Sequence, residues 1–409
     1  MTNDSKQTEN FLEVAFKSDI LLAVIAVILL DFIFHFGFKL NEKPSFALRF
    51  NEPYRSRIWW AMKDFIAQPK TADLVLLGAS DMTCAFYGAE ATYLNSPQSQ
   101  LLKHRSKYLE SKLANLDSPF RTAFCLGIPG EMPSDAYFLA STMLANKRKP
   151  KAICLSIAPR DFYDATFGDP TSTDIYKLSS KLGMEPHCQK LRSTSVWDEL
   201  DHEIQQISSV CGHKRELMSW QHHVMHALLA KLLKEDFTTI STPQPIRKLA
   251  LIELPEDYGP NEVIESPYDP KHPIWINNQA EYQSRYRQFK MSTFTQQLAF
   301  LKKLGQLCRS EGVGFLVVNS PLTDENRAMI EKSAYDLYMS EIPKAVRASG
   351  GIFVNFDTLS TFKHDDFFDS IHLNGKGGEK FLEQIAMALS KTSQLASSTR
   401  AFISSQRPF

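Results

Sequence analysis

Five short apolar runs, Asp73–Leu77, Ala123–Leu126, Ala152–Ile157, Gly314–Asn319 and Ile352–Phe356, constrain the fold more than any other feature of the chain. Each is strand-length and is bounded by glycine, proline or small polar residues, and stretches of helical character separate them. Helices are expected at Leu101–Leu116, Ser134–Asn146, Thr293–Glu311, Glu325–Ala348 and Gly375–Ser390. Strands alternating with helices form βαβ units around a parallel sheet, so the expected class is an α/β sandwich with about five strands. The alternation lapses over residues 165–290, where Pro, Asp and Tyr clusters surround a helical stretch near Val196–Leu233. That region reads as a long, largely helical insertion between a first part at 71–164 and a second at 291–392.

The strands end in LLGASD, CLGIPGE, SIAPRDF and VNSPLTD. In a doubly wound sheet such loops converge on one edge, which makes neighbours of Ser80, Gly127, Gly130, Arg160, Asp161 and Ser320. Ser80 alone, followed by Asp81, reads as a helix cap. The stretch DDFFDSIHLNGKGGEKF at 365–381 changes that reading, because Asp369 and His372 stand three apart in a polar loop ahead of a glycine-rich helix start. An aspartate that orients an imidazole, and an imidazole that takes the proton of a serine, are what serine acyl chemistry requires. The reading demands a Ser80 Oγ to His372 Nε2 distance near about 3.5 Å.

With these motifs in place the chain resembles the SGNH, or GDSL-like, hydrolase superfamily over residues 71–162 and 312–391. The resemblance implies a flavodoxin-like three-layer sandwich, with GAS giving the nucleophile Ser80, IPG the oxyanion glycine Gly130, and DSIH the acid Asp369 and base His372. The family's third block is usually Gly-x-Asn-Asp, and here APRD puts Arg160 where an oxyanion asparagine is expected. Arg160 can serve the oxyanion with the N–H groups of Ser80 and Gly130, bind an anionic substrate, or pair with Asp161 or Asp164. Asp161 and Arg285, the latter within YQSRYRQF at 282–289, are substrate-binding candidates, although that aromatic group can equally pack the insertion onto the sheet. The resemblance is to the membrane-anchored bacterial branch, which includes the D-alanyl-lipoteichoic acid transfer protein and the polysaccharide O-acetyltransferases. It implies an extracytoplasmic acyl-transfer domain, an envelope glycan or polymer as substrate, a membrane-bound O-acyltransferase as partner and no cofactor. A non-catalytic envelope protein that keeps the fold for binding or scaffolding is the alternative.

An N-terminal anchor is also expected from the residues themselves. Ile20 to Phe38, ILLAVIAVILLDFIFHFGF, is long enough to cross roughly 30 Å of hydrocarbon as a helix, and no small-residue cleavage site follows it. Residues 1–19 then form a tail and 39–70 a linker that includes a short helix, with Trp59 and Trp60 near the membrane surface. Asp31 and His35 share one helix face, able to pair with each other or with a partner's helix. More basic residues follow the stretch than precede it, a bias that favours a cytoplasmic domain and opposes the side implied by the resemblance. The 46 basic and 46 acidic residues cancel, which gives no footing for a nucleic-acid partner. The six cysteines show no metal spacing; Cys188 and Cys211 can bridge in an oxidising compartment. His222 and His226 share a helix face but lack an accompanying carboxylate motif, so no metal is expected. Residues 393–409 read as a frayed tail.

Overall fold

The computed structural model describes residues 22, 25–33, 56–166, 169–182, 208 and 275–391. The chain forms two compact units, Met1–Tyr54 with Arg192–Asp257, and Arg55–Leu191 with Tyr258–Phe409. In the first unit, residues 25–33 are helical and Asp31 accepts a hydrogen bond from Ser208 Oγ at 2.7 Å. No helix among the described residues is long and apolar enough to cross a membrane. The remainder of the stretch at 20–38, including His35, lies outside the described residues, as do Cys188, Cys211, His222 and His226.

The second unit is built on a five-stranded, fully parallel sheet of order β2-β1-β3-β4-β5. Its strands are β1 (Leu74–Leu77), β2 (Ala123–Cys125), β3 (Ala152–Ile157), β4 (Gly314–Asn319) and β5 (Ile352–Asn355). The first three are buried along their whole length, as expected where helices cover both faces of a parallel sheet. On one face α2 (Ser80–Leu94) and α3 (Lys107–Asn115) pack with α11 (Gly375–Lys391). On the other, α4 (Pro133–Ala145) packs with α8 (Met291–Ser310), which also meets α10 (Lys332–Ala348). Leu74, Leu76, Cys154, Leu316 and Val318 face the first group and lie in one core with Phe381, Leu382 and Ile385 of α11. The strand order reverses at β1, between β2 and β3, and in such sheets the crevice at that reversal is where ligands bind.

Several elements depart from the sequence expectation. The short helix expected in the linker is α1 (Arg57–Ala67), capped by Ser56 Oγ, which accepts from Trp59 N–H at 3.4 Å, but its tryptophans are not where the sequence put them. Trp59 and Trp60 are 4% and 8% exposed, so they are core residues of this unit and not surface anchors. Phe65 of the same helix meets Phe124 of β2 at 5.1 Å. Helix α2 was not foreseen because it is buried almost all round, which erases the amphipathic period. The helix expected at Leu101–Leu116 starts at Lys107, since the buried Glu90 carboxylate accepts from Ser106 Oγ, Lys107 N–H and Tyr108 N–H and fixes the start there. The helix expected at Glu325–Ala348 divides into α9 (Asp324–Ala328) and α10. Beyond α5 (Arg160–Tyr163), parts of the insertion also belong to this unit: α6 (Asp174–Leu182) packs against α4, and α7 (Gln279–Tyr286) packs against α5.

The pairing of α2 with α11 depends on backbone-to-backbone approach. A Cβ on Gly378 would stand 2.3 Å from Ala85 O, whereas one on Gly88 would meet Gly375 at 3.4 Å. Gly378→Ala is therefore expected to push the two helices apart and lower unfolding stability by about 1–3 kcal/mol. Gly88→Ala should cost measurably less; comparing denaturant midpoints of the two variants checks both statements.

Candidate active site

Ser80 is the first residue of α2, immediately beyond the carboxyl end of β1. A residue there has an N–H with no intrahelical acceptor and sits at the positive end of the helix dipole. Ser80 Oγ lies 2.7 Å from His372 Nε2, and His372 Nδ1 lies 2.6 Å from Asp369 Oδ2. A carboxylate only accepts, so Nδ1 carries the ring proton and Nε2 is left to accept from the serine hydroxyl. Asp369 Oδ1 accepts in turn from the N–H groups of Ile371 at 2.9 Å and His372 at 2.7 Å, which holds the acid on its own turn.

That turn is clasped from below. Phe367 and Leu373 form a bridge with their side chains buried under α11, and Phe368 N–H donates to His372 O at 3.0 Å. The imidazole stacks on Phe368 at 5.5 Å and 16°, and Tyr282 meets it at 6.4 Å and 66°. Between Asp369 and His372, Ser370 is gripped by Asn326 Nδ2, Asn278 Oδ1 and Thr323 Oγ1, so the spacing in DSIH is braced by α9 and the start of α7.

Directly after the serine, Asp81 is 5% exposed, and its Oδ2 accepts from the hydroxyls of Ser156 on β3 and Ser320 beyond β4. These two hydroxyls lie 2.7 Å apart. The sequence placed Ser320 among the converging residues, but nothing in it distinguished Asp81 from an ordinary first-turn acid.

The loop after β2 runs beside the serine turn, with Ile128 N–H donating to Gly78 O at 3.0 Å. Gly130 has φ +89°, a conformation that suits glycine, and its N–H donates to no described residue. Arg160 flanks it: a Cβ on Gly130 would lie 3.7 Å from Arg160 Nη2. Arg160 Nη1 donates to Asp161 Oδ1 at 3.0 Å and Nε pairs with Asp164 Oδ2 at 3.2 Å, while Nη2 donates to no described residue. Burial works against this guanidinium, and Asp161 and Asp164 outweigh it, holding Arg160 above its ordinary range. Arg160 is thus an ion-pair partner through two nitrogens, and its third lies beside Gly130 with no acceptor among the described residues.

The structure commits the remaining candidates to partners within the fold. Asp161 is 2% exposed and accepts from Ala158 N–H at 2.8 Å as well as from Arg160, so its role is to orient that arginine. Arg285 reaches Asp164 at 2.5 Å and Glu281 at 2.8 Å, tying α7 to the Arg160 loop. Beneath the loop, burial pushes the Glu131 carboxyl far above its usual range, with Asp135 adding to the effect. No family model matches the chain, and no curated protein matches it.

Asp135 offers a pH test of this acidic layer. Burial pushes its carboxyl up to about 7, against the pull of Thr173 Oγ1 at 2.6 Å, Met132 N–H at 3.0 Å and Arg160. The folded state therefore keeps a proton that the unfolded chain releases near about pH 4. The associated stability is complete below that pH and is lost as pH rises through 7, with a slope of at most about 1.4 kcal/mol per pH unit. Asp135→Asn, which retains an acceptor for Met132 N–H, should flatten the pH dependence of unfolding measured by denaturant titration between pH 4 and 8.

Proposed function

We propose that the chain is an SGNH-like serine esterase or O-acyltransferase. The observation that carries this reading is the unbroken relay from Ser80 Oγ through His372 to Asp369, set beside N–H and guanidinium donors that have no acceptor among the described residues. His372 Nε2 takes the Ser80 proton as Oγ attacks an acyl carbonyl, and the Ser80 and Gly130 N–H groups with Arg160 Nη2 receive the developing oxyanion. Collapse expels the alcohol, which receives its proton from the imidazolium. Water or a glycan hydroxyl, deprotonated by His372, then attacks the acyl-enzyme and returns Ser80 to its starting state. No cofactor enters these steps.

The surroundings of Arg160 favour a neutral ester over an anionic one. Two of its nitrogens are already held by Asp161, whose carboxyl burial pushes up to about 7, and by Asp164, shared with Arg285, so what it offers a ligand is the directed donor Nη2. The proposed setting is the bacterial cytoplasmic membrane, with a single N-terminal span, an extracytoplasmic catalytic domain, an envelope glycan or polymer as acceptor and a membrane-bound O-acyltransferase as acyl source. Its support is the apolar stretch at 20–38, where Val27, Ile28, Leu29, Leu30, Phe32 and Ile33 are all exposed on the described helical turns.

A fluorophosphonate probe tests the chemistry. The wild-type chain is expected to label, Ser80→Ala to lose labelling entirely, and His372→Ala to label at least about a hundredfold more slowly. Folded wild-type protein that does not label would point instead to a binding or scaffolding role. For the location, a carboxyl-terminal fusion to an enzyme active only outside the cytoplasm is expected to be active in intact cells; an inactive fusion, with a cytoplasmic reporter active in its place, overturns the orientation.

A further inference from the structure

Tyr282 is an aromatic residue of α7 to which the acyl-transfer steps assign nothing. It is 3% exposed, its ring centroid lies 6.4 Å from that of His372, and Arg285 Cζ stands 6.0 Å over its face. Neighbouring phenols are engaged: Tyr286 donates to Asn326 Oδ1 at 3.2 Å, Tyr338 to Asn319 Oδ1 at 2.7 Å, and Tyr163 to Ala334 O. The Tyr282 hydroxyl donates to no described residue, yet it is not among the fully enclosed polar atoms that lack a partner. A buried ring whose single polar atom is unpaired and reachable is placed for a ligand, because tyrosine hydroxyls in protein interiors normally find a partner.

The helix that carries Tyr282 is fastened at both ends to the catalytic elements. Toward its start, Ile276 N–H donates to Phe368 O at 2.7 Å and Asn278 Oδ1 accepts from Ser370 Oγ at 2.7 Å, both within the turn that bears Asp369 and His372. At its end, Arg285 holds Asp164 and accepts from Ala165 N–H at 2.8 Å through its carbonyl, which fixes it to the Arg160 loop. Helix α7 therefore links the two halves of the site, and its Tyr282 ring lies beside His372. Burial keeps the phenol protonated well above neutrality, so it acts as a donor.

We propose that Tyr282 contacts the substrate, its hydroxyl donating to the acyl oxygen on the Arg160 side of Ser80. This rests on the acyl-transfer reading and adds a neutral donor to the set formed by Ser80, Gly130 and Arg160. Such a donor matters most when charge has gathered on the oxygen, so its removal acts on kcat and not on ground-state binding.

Tyr282→Phe tests the assignment, since it keeps the ring and removes only the hydroxyl. Toward p-nitrophenyl acetate, kcat is expected to fall on the order of a hundredfold with KM nearly unchanged. Affinity for phenylboronic acid, which forms a tetrahedral adduct on the serine, should fall in parallel. The thermal midpoint should stay at the wild-type value, as no hydrogen bond within the fold is lost. Wild-type kcat in the variant, or a raised KM at constant kcat, would overturn the proposal while leaving the nucleophile assignment intact. A wild-type protein that neither labels with fluorophosphonate nor cleaves the ester would overturn both.

Discussion

The Asp81 carboxylate, buried one residue behind the serine, is the interaction on which the geometry of the site depends. It lies in the first turn of α2 and accepts hydroxyls from β3 and from the loop beyond β4, so one side chain ties three of the five strand ends together. A buried carboxyl needs hydrogen bonds in place of water, and the two serines supply them to Oδ2 at the helix start, while Oδ1 is buried with no hydrogen-bond partner among the described residues. The same arrangement sets the direction of α2, hence the position of Ser80 Oγ over the sheet edge. Ser80 is thus aimed by the residue that follows it in the chain.

Arg160 follows the same logic with the sign reversed. A lone guanidinium at 11% side-chain exposure would be poorly solvated, and the carboxylates of Asp161 and Asp164 make it tenable while fixing its plane. With Nε and Nη1 occupied, Nη2 is the nitrogen left beside Gly130. An asparagine amide in this place would bring one donor group and no need for acids; the arginine brings a longer reach and requires its counter-ions to come with it. The APRD block is intelligible on those terms, since the aspartate that follows the arginine is part of what allows the arginine to be there.

How much of this could be read from the chain follows from the range of each signal. The strands were legible because parallel strands buried on both faces are short unbroken apolar runs, and Asp369 with His372 because both sit on one local turn. Helix α2 is hidden by its burial on every side, and the tryptophans of α1 read as surface anchors because such residues suit an interface as well as they suit a core. Asp81 with Ser156 and Ser320 was illegible for another reason. Single small polar residues at strand ends are common, and only the assembled sheet edge shows that these three converge. Tyr282 and Arg285 stood out as an aromatic and basic group, but the alternatives of packing and binding could be separated only by seeing which polar atoms the fold uses.

For these two residues the answer differs, and the difference clarifies what the returning chain contributes. Arg285 is consumed by the fold, because its nitrogens are taken by Asp164 and Glu281. Tyr282, one turn earlier, gives its ring to the wall and keeps its hydroxyl. The loops at the sheet edge carry Ser80, Gly130 and Arg160. Helix α7, from chain outside the βαβ repeat, fastens to the histidine turn at one end and to the arginine loop at the other. A change that loosens either fastening therefore alters the spacing between the two halves of the site without touching Ser80.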